Sequence, residues 1–148
     1  MKQILAVMQG ASGSGKSTLA KDHIAPLLRA LGHDVVIVST DDEFHENGVY
    51  RFDPSKLGVN HAKTQQKARE ALMAGKSVIV DNTNTQQWEA KPYVLIAQEL
   101  NIPVSFHRAT GEYQNLHGVP STKVEQMKSR LEPLTLESVL ASKSPYGK

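Results

Sequence analysis

A glycine- and serine-rich run near the amino terminus carries the first residues that could do chemistry. Residues 10–18 read GASGSGKST and satisfy the spacing G-x-x-x-x-G-K-[ST] of a phosphate-binding loop. Glycines let successive backbone N–H groups turn toward phosphate oxygens, and the helix that follows adds partial positive charge at its start. Lys16 is then expected to reach the β and γ phosphates of ATP, and the Ser17 hydroxyl to ligate Mg²⁺. The residues predicted to bind ATP here are Gly10, Ser12, Gly13, Ser14, Gly15, Lys16, Ser17 and Thr18.

Three carboxylates follow strand-like segments of the chain. Asp41 and Asp42 come after the second such segment, and Asp81 comes after the third. Because ligands of open α/β sheets bind at the carboxyl ends of the strands, we expect these side chains at the same edge as the loop. A carboxylate beside the γ phosphate can accept a proton from an attacking hydroxyl or orient the waters of Mg²⁺. Acidic residues after strands are also common turn formers. We favour a catalytic role for Asp41 and leave both interpretations open for Asp42 and Asp81.

The elements that must position these residues alternate between strand-like and helix-like patterns. Apolar runs predict buried strands over residues 4–8, 35–38 and 77–80, and residues 103–107 are expected to form a short fourth strand. Helical patterns are found over residues 19–31, 60–74, 86–100 and 121–131. Pro26 is expected to kink the first helix and Pro92 to break the third, and residues 43–60 are expected to form a loop with a short helix. The alternation predicts an α/β fold: a three-layer P-loop NTPase fold with a short parallel sheet of about four strands.

Length and composition narrow the class of protein. The 148 residues suit a single domain over 1–148, with residues 142–148 expected to fray. The sequence has no Cys, which excludes a disulfide scaffold, a thiolate metal site and a cysteine nucleophile. No apolar run approaches the roughly 18–20 residues of a membrane span, so we expect no membrane partner. The lack of Cys fits a reducing compartment and the first residues do not resemble a signal peptide, so we expect a cytoplasmic location. The net charge of +2 is too small to argue for nucleic acid by itself.

Beyond the loop, several blocks resemble one group of P-loop kinases. These blocks read STDD at 39–42, YRFD at 50–53, DNTNTQ at 81–86, KPYV at 91–94 and HGVP at 117–120. Together with the loop they resemble the kinase domain found in NEDD4-binding protein 2 and, more loosely, the phage-type polynucleotide 5′-hydroxyl kinases. The resemblance covers residues 4 to about 130. The DNTNT and KPYV blocks are its most specific parts.

This resemblance implies transfer of the γ phosphate of ATP to a 5′-hydroxyl, so nucleic acid 5′ ends are the expected substrate. It implies that Asp41 is the general base and that Arg51, in the loop after the Asp pair, holds a phosphate of the acceptor. The other residues that we expect on the acceptor side are Asp42, Asp81, Thr83 and Asn84.

One segment departs from the pattern of that group. Such kinases usually carry a lid with arginines that clamp the ATP phosphates, but residues 109–116 contain no Arg or Lys. The nearest basic residues are Arg108, His117, Lys123 and Arg130, and of these Arg108 and Arg130 are the candidates to bind ATP in its place. For Arg130 we favour the interpretation as a solvated cation that stabilises the end of a helix.

Two alternatives stay open at this stage. The same machinery can phosphorylate another hydroxyl, on a nucleoside, a small metabolite or a hydroxymethylated base in DNA, which the mild charge and the bare lid favour. A non-catalytic nucleotide-binding module is also compatible with the missing lid arginine. Asp41 and Arg51 argue against it, because a pure binder needs neither.

Overall fold

Four parallel strands form the central sheet in this computed structural model. The structure describes residues 3–10, 15–40, 45–46, 49–50, 54–84, 86–109 and 131–143. In chain order the strands are β1 (Leu5–Gln9), β2 (Val35–Val38), β3 (His45–Glu46), β4 (Val49–Tyr50), β5 (Ser77–Val80) and β6 (Val104–Arg108). The parallel sheet has the order β2-β5-β1-β6, whereas β3 and β4 form a separate antiparallel pair. The predicted α/β class with about four parallel strands is confirmed.

The carboxyl ends of the four parallel strands lie at one edge of the sheet, where β1 and β6 extend two residues beyond β2 and β5. Val80 of β5 pairs with Val38 on one side and with Val7 on the other, and Gln9 at the end of β1 pairs with Arg108. The segments that follow these strands therefore emerge at one edge of the sheet.

Helices cover both faces of the sheet. The first runs from α1 (Lys16–Thr18) through a π-helical segment (Leu19–Ile24) into α2 (Ala25–Ala30). The others are α3 (Leu57–Met73), α4 (Gln87–Glu99) and α5 (Leu136–Ala141). Within the described part of the chain, no helix is long and apolar enough to cross a membrane.

Alternation of side chains along the strands divides the core into two layers. On one face, Ala6, Met8, Val35 and Ile79 pack against Ala20 and Ala25 of the first helix. On the other face, α3, α4 and α5 cover the strands with Ala68, Leu72, Tyr93, Val94 and Val139, among others. The side of the sheet that each side chain faces thus follows from its register in the strand.

Both prolines lie within helices that continue past them. Pro92 does not break α4, which runs uninterrupted through it. A proline inside a helix costs about 3 kcal/mol, but five residues of α4 are buried against the sheet and its neighbours, which outweighs that loss. Pro26 stands where the π-helical segment gives way to α2, so the helix changes its hydrogen-bond pattern ahead of the proline and continues.

Other boundaries also differ from expectation. Helix α3 begins at Leu57, after a 3₁₀ turn (Pro54–Lys56), instead of at residue 60. The segment expected to be a loop with a short helix also contains the β3–β4 pair. The helix expected over 121–131 lies outside the described residues, apart from residue 131. Helix α5, for which the sequence analysis offered no prediction, packs on α4.

Candidate active site

The position of β5 between β1 and β2 determines which side chains meet at the carboxyl edge. Ile79 faces the layer of the first helix, and Val80 faces the layer of α3 and α4. Continued alternation directs Asp81 toward the first helix and Asn82 toward α4. The contacts of the two side chains agree with this, since Asp81 bonds to α1 and Asn82 bonds to Tyr93 of α4.

The first helix begins at a glycine whose backbone conformation suits no other residue as well. Gly15 has φ 84° and ψ 16°, in the left-handed region, and its carbonyl accepts the N–H of Leu19 at 2.8 Å. Gly10, directly after β1, donates its N–H to the carbonyl of Thr83 at 3.0 Å. Thr18 lies exposed in the first turn of the helix. The glycine-rich sequence thus joins a strand to a helix, as its motif requires.

Lys16, Ser17 and Asp81 form the central cluster at this edge. Lys16 Nζ lies 2.8 Å from Asp81 Oδ1, and Ser17 Oγ donates to Asp81 Oδ2 at 2.7 Å. The two charged side chains are only 11% and 5% exposed. The sequence analysis expects Asp81 on the acceptor side. In the structure, both described side-chain bonds of Asp81 are with Lys16 and Ser17, the residues expected to bind phosphate and metal.

These side chains fit a magnesium–nucleotide ligand chemically. Mg²⁺ prefers hard oxygen ligands, which the Ser17 hydroxyl and the Asp81 carboxylate provide together. The Lys16 ammonium is a compact charge suited to phosphate oxygens. Ser17 and Asp81 are therefore the described residues that could hold the metal, and Lys16 is the one that could hold phosphate.

A second cluster, not anticipated from the sequence, joins β2 to α3 and α4. The Thr40 N–H donates to Asn82 Oδ1 at 2.8 Å, and Asn82 Nδ2 donates to the Tyr93 hydroxyl at 3.2 Å. The Thr40 hydroxyl also bonds to Tyr93 and lies 3.2 Å from His61 Nδ1. We call Thr40, His61, Asn82 and Tyr93 the Thr40 network. Its signal in the sequence is that Thr40, Asn82 and Tyr93 lie in the STDD, DNTNTQ and KPYV blocks.

The hydroxyl of Tyr93 titrates at unusually high pH, which predicts alkaline destabilisation. Burial raises the pKa of Tyr93 to about 12, although hydrogen bonds with Asn82 and Thr40 oppose the rise. Because this pKa exceeds the unfolded value of about 10, the stabilisation is complete below pH 10 and is lost as the pH rises toward 12. Between about pH 9 and pH 11, we expect wild type to lose about 1 kcal/mol more unfolding free energy than Tyr93→Phe. Urea titrations at several pH values measure this, and equal losses in both proteins would contradict it.

Thr83 and Asn84 hold the loop after β5 to β1. Asn84 is 1% exposed, and its Nδ2 donates to the carbonyls of Met8 at 2.7 Å and Asn82 at 3.3 Å. Asn84 was expected to contact substrate, but its side chain is buried and bonded to the protein backbone. The Thr83 carbonyl accepts the N–H of Gly10, so its described bond also supports the glycine-rich loop.

Arg108 ends β6 beside the start of that loop. Its Nε donates to Gln9 Oε1 at 2.7 Å, and Gln9 Nε2 donates to the carbonyls of Asn84 at 3.0 Å and Glu132 at 2.6 Å. Burial lowers the pKa of the neighbouring His107, which bonds to a serine of the same strand, and so favours its neutral form. Arg108 is thus a positively charged residue at the carboxyl edge of the sheet, which is what a replacement for a lid arginine must be.

Several predicted site residues lie outside the described residues. They are Ser12, Gly13, Ser14, Asp41, Asp42, Arg51 and Arg130. For Asp41, the nearest described residue is Thr40, to which it is joined by one peptide bond.

Two relatives and one solved structure indicate the proteins that this chain resembles. Human NEDD4-binding protein 2 is 35% identical over 151 residues, which cover 95% of this chain and 8% of that protein. The bifunctional polynucleotide phosphatase/kinase of Schizosaccharomyces pombe is 28% identical over 148 residues, which cover 91% of this chain and 31% of that protein. The chain thus spans less than a third of each of these relatives. Kti12 of Chaetomium thermophilum, in complex with ADP-AlF3, shares the fold with a TM-score of 0.66 and 16% identity, over 87% of this chain and 80% of that one.

The profile of a family described as an AAA domain matches residues 5–134, which is most of the chain. This range includes all four parallel strands, the glycine-rich loop and the Lys16–Asp81 cluster. The chain therefore belongs to this AAA-domain family of P-loop kinase domains.

Proposed function

We propose that the chain is an ATP-dependent polynucleotide 5′-hydroxyl kinase, which transfers the γ phosphate of ATP to a 5′-hydroxyl of DNA or RNA. The observation that carries this proposal is the contact of Asp81 with Lys16 and Ser17 at the carboxyl edge of the sheet. Thr40, which follows β2, lies at the same edge and bonds to the residue after Asp81. The name of the Schizosaccharomyces pombe relative, a polynucleotide phosphatase/kinase, supports the class of acceptor.

On the nucleotide side, Lys16 binds the β and γ phosphates and neutralises charge that develops during transfer. Ser17 and Asp81 hold Mg²⁺, which when bound supplies further positive charge to the phosphate oxygens. Ser12, Gly13 and Ser14 contribute backbone N–H groups to the phosphates. Arg108 is our first candidate for the positive charge that a lid arginine supplies elsewhere, with Arg130 as the second.

On the acceptor side, Asp41 accepts the proton of the 5′-hydroxyl. The hydroxyl oxygen then forms a bond to the γ phosphorus, the bond from that phosphorus to the bridging oxygen breaks, and ADP leaves. Arg51 holds a phosphate of the acceptor, and Asp42 contacts the same substrate. Asp81 differs from Asp41 in its task, because its carboxylate is already bonded to Lys16 and Ser17.

Transfer of labelled γ phosphate to a panel of acceptors tests this function. The panel contains 5′-hydroxyl DNA and RNA oligonucleotides, nucleosides, small hydroxylated metabolites and duplex DNA with hydroxymethylated bases. We expect label at the 5′ end of oligonucleotides. Asp41→Asn should lower kcat by about 10²–10⁴-fold, because the general base is lost, and should change the Kd for ATP less than about two-fold.

Asp34→Asn is the matched control, because it makes the same change at an exposed residue just before the opposite end of β2. It should leave transfer unchanged. Label on another hydroxyl, still dependent on Asp41, would move the acceptor to a nucleoside, a metabolite or a modified base. Intact ATP binding without transfer to any acceptor would favour a nucleotide-binding module and refute the kinase.

A further inference from the structure

Two consecutive residues after β5, Asp81 and Asn82, bond to two different parts of the site. Asp81 bonds to Lys16 and Ser17 of the first helix. Asn82 bonds to the Thr40 backbone at the end of β2 and to the Tyr93 hydroxyl in α4. In the mechanism above, the first set of partners handles the nucleotide, while β2 leads to the proposed base.

Thr40 is held from three directions. It is 5% exposed, its N–H donates to Asn82 Oδ1, and its hydroxyl bonds to Tyr93 and His61. The three partners belong to the loop after β5, to α4 and to α3. Successive Cα atoms are about 3.8 Å apart, so a constraint on Thr40 also limits where the next residue, Asp41, can lie.

We propose that Asn82 is a positioning residue for the acceptor side of the reaction, acting through Thr40 on the segment that carries Asp41. The inference rests on the proposed function. An asparagine suits this task because its amide oxygen accepts the Thr40 N–H while its amide nitrogen donates to Tyr93. A catalytic group that is misplaced by about 1 Å can cost on the order of 10²-fold in rate.

The kinetic test compares Asn82→Leu with a control that removes an equal number of hydrogen bonds far from the site. Gln3 precedes β1, at the opposite edge of the sheet, and its Nε2 donates to the carbonyls of Leu72 at 2.7 Å and Lys76 at 2.9 Å. We expect Asn82→Leu to lower kcat by about 10–10²-fold while the Kd for ATP changes less than about two-fold. Gln3→Leu should lower the melting temperature similarly and leave kcat at the wild-type value.

Tyr93→Phe provides a second, milder variant, because it removes only the hydroxyl that joins Asn82 to Thr40. It should lower kcat by about three- to ten-fold. Because both variants disturb one path to Thr40, the double variant should fall short of the product of the two single effects. Multiplicative effects would show that the two side chains act independently.

Amide hydrogen exchange tests the positioning without relying on activity. In Asn82→Leu, the Thr40 N–H loses its acceptor, and we expect it to exchange at least about ten-fold faster than in wild type. In Gln3→Leu its rate, corrected for global stability, should not change. Unchanged exchange at Thr40 in Asn82→Leu would overturn the inference.

The remaining outcomes separate this inference from the proposed function. If wild type transfers phosphate and Asn82→Leu keeps its kcat, the inference fails alone. If Asn82→Leu weakens ATP binding as much as transfer, Asn82 acts through Asp81, and the inference also fails. If wild type transfers phosphate to no acceptor, the proposed function fails and the kinetic role of Asn82 fails with it.

Discussion

Lys16→Met should abolish phosphoryl transfer and destabilise the fold at the same time. Loss of a positive group at the transferring phosphate lowers kcat by at least about 10³-fold. Because the Lys16–Asp81 pair is almost fully buried, removing Lys16 also leaves an uncompensated carboxylate, which costs about 3 kcal/mol. Transfer assays and chemical denaturation measure the two losses on the same protein.

The double variant Lys16→Met/Asp81→Asn separates these effects. The asparagine has no charge to leave unpaired and can still accept the Ser17 hydroxyl, so most of the lost stability should return. Activity should not return, since the phosphate still lacks its ammonium. A double variant no more stable than Lys16→Met would contradict a burial penalty as the cause.

An exposed ion pair of the same length provides the control. Arg69 and Glu99 also lie 2.8 Å apart, but they are 35% and 61% exposed. Surface pairs contribute about 0–1 kcal/mol, so Arg69→Met should change stability little and transfer not at all. The difference in stability loss between Lys16→Met and Arg69→Met then reports the effect of burial, since the N···O distance is the same in both pairs.

Asn84→Ala should be among the most destabilising single substitutions in the loop after β5. The change removes the donor to the buried Met8 carbonyl and puts alanine at φ 44°, where a side chain strains the backbone. Together these effects should lower the free energy of unfolding by about 3 kcal/mol. Asn84→Gly should cost about 1 kcal/mol less, because glycine adopts this conformation freely. Denaturant unfolding of both variants gives the two values.

Asn101 offers a matched control for the backbone contribution. It also has positive φ, 59°, but is exposed after the end of α4. Asn101→Ala should therefore cost only the conformational part, about 1 kcal/mol, and Asn101→Gly should be nearly neutral. If Asn84→Ala costs no more than Asn101→Ala, the buried hydrogen bonds of Asn84 contribute nothing measurable.

Local patterns predict much of this fold because its strands are short apolar runs and its loop has a strict spacing. The runs at 35–38 and 77–80 coincide with β2 and β5. The placement of Asp81 is harder, because its contact with Lys16 depends on β5 lying next to β1, and strand order leaves no trace in local hydrophobicity. The resemblance therefore led to Asp81 as an acceptor-side residue, whereas its bonds are with the first helix.

The Thr40 network is beyond local sequence patterns for the same reason. His61 and Tyr93 lie 21 and 53 positions from Thr40, on two different helices. Pro92 illustrates a related limit, since its helix-breaking tendency is outweighed by packing that forms only in the complete fold. Hydrogen bonds and burial between distant segments decide these features.

The opposite orientations of Asp81 and Asn82 also constrain how the length of this segment can vary. Inserting or deleting one residue at the end of β5 would turn each side chain toward the other's partners. The carboxylate would face Thr40 and Tyr93, and the amide would face Lys16, so both halves of the edge would lose their contacts together. A substitution at Asp81 or Asn82 removes the contacts of one side chain, whereas a change of one residue in length removes the contacts of both.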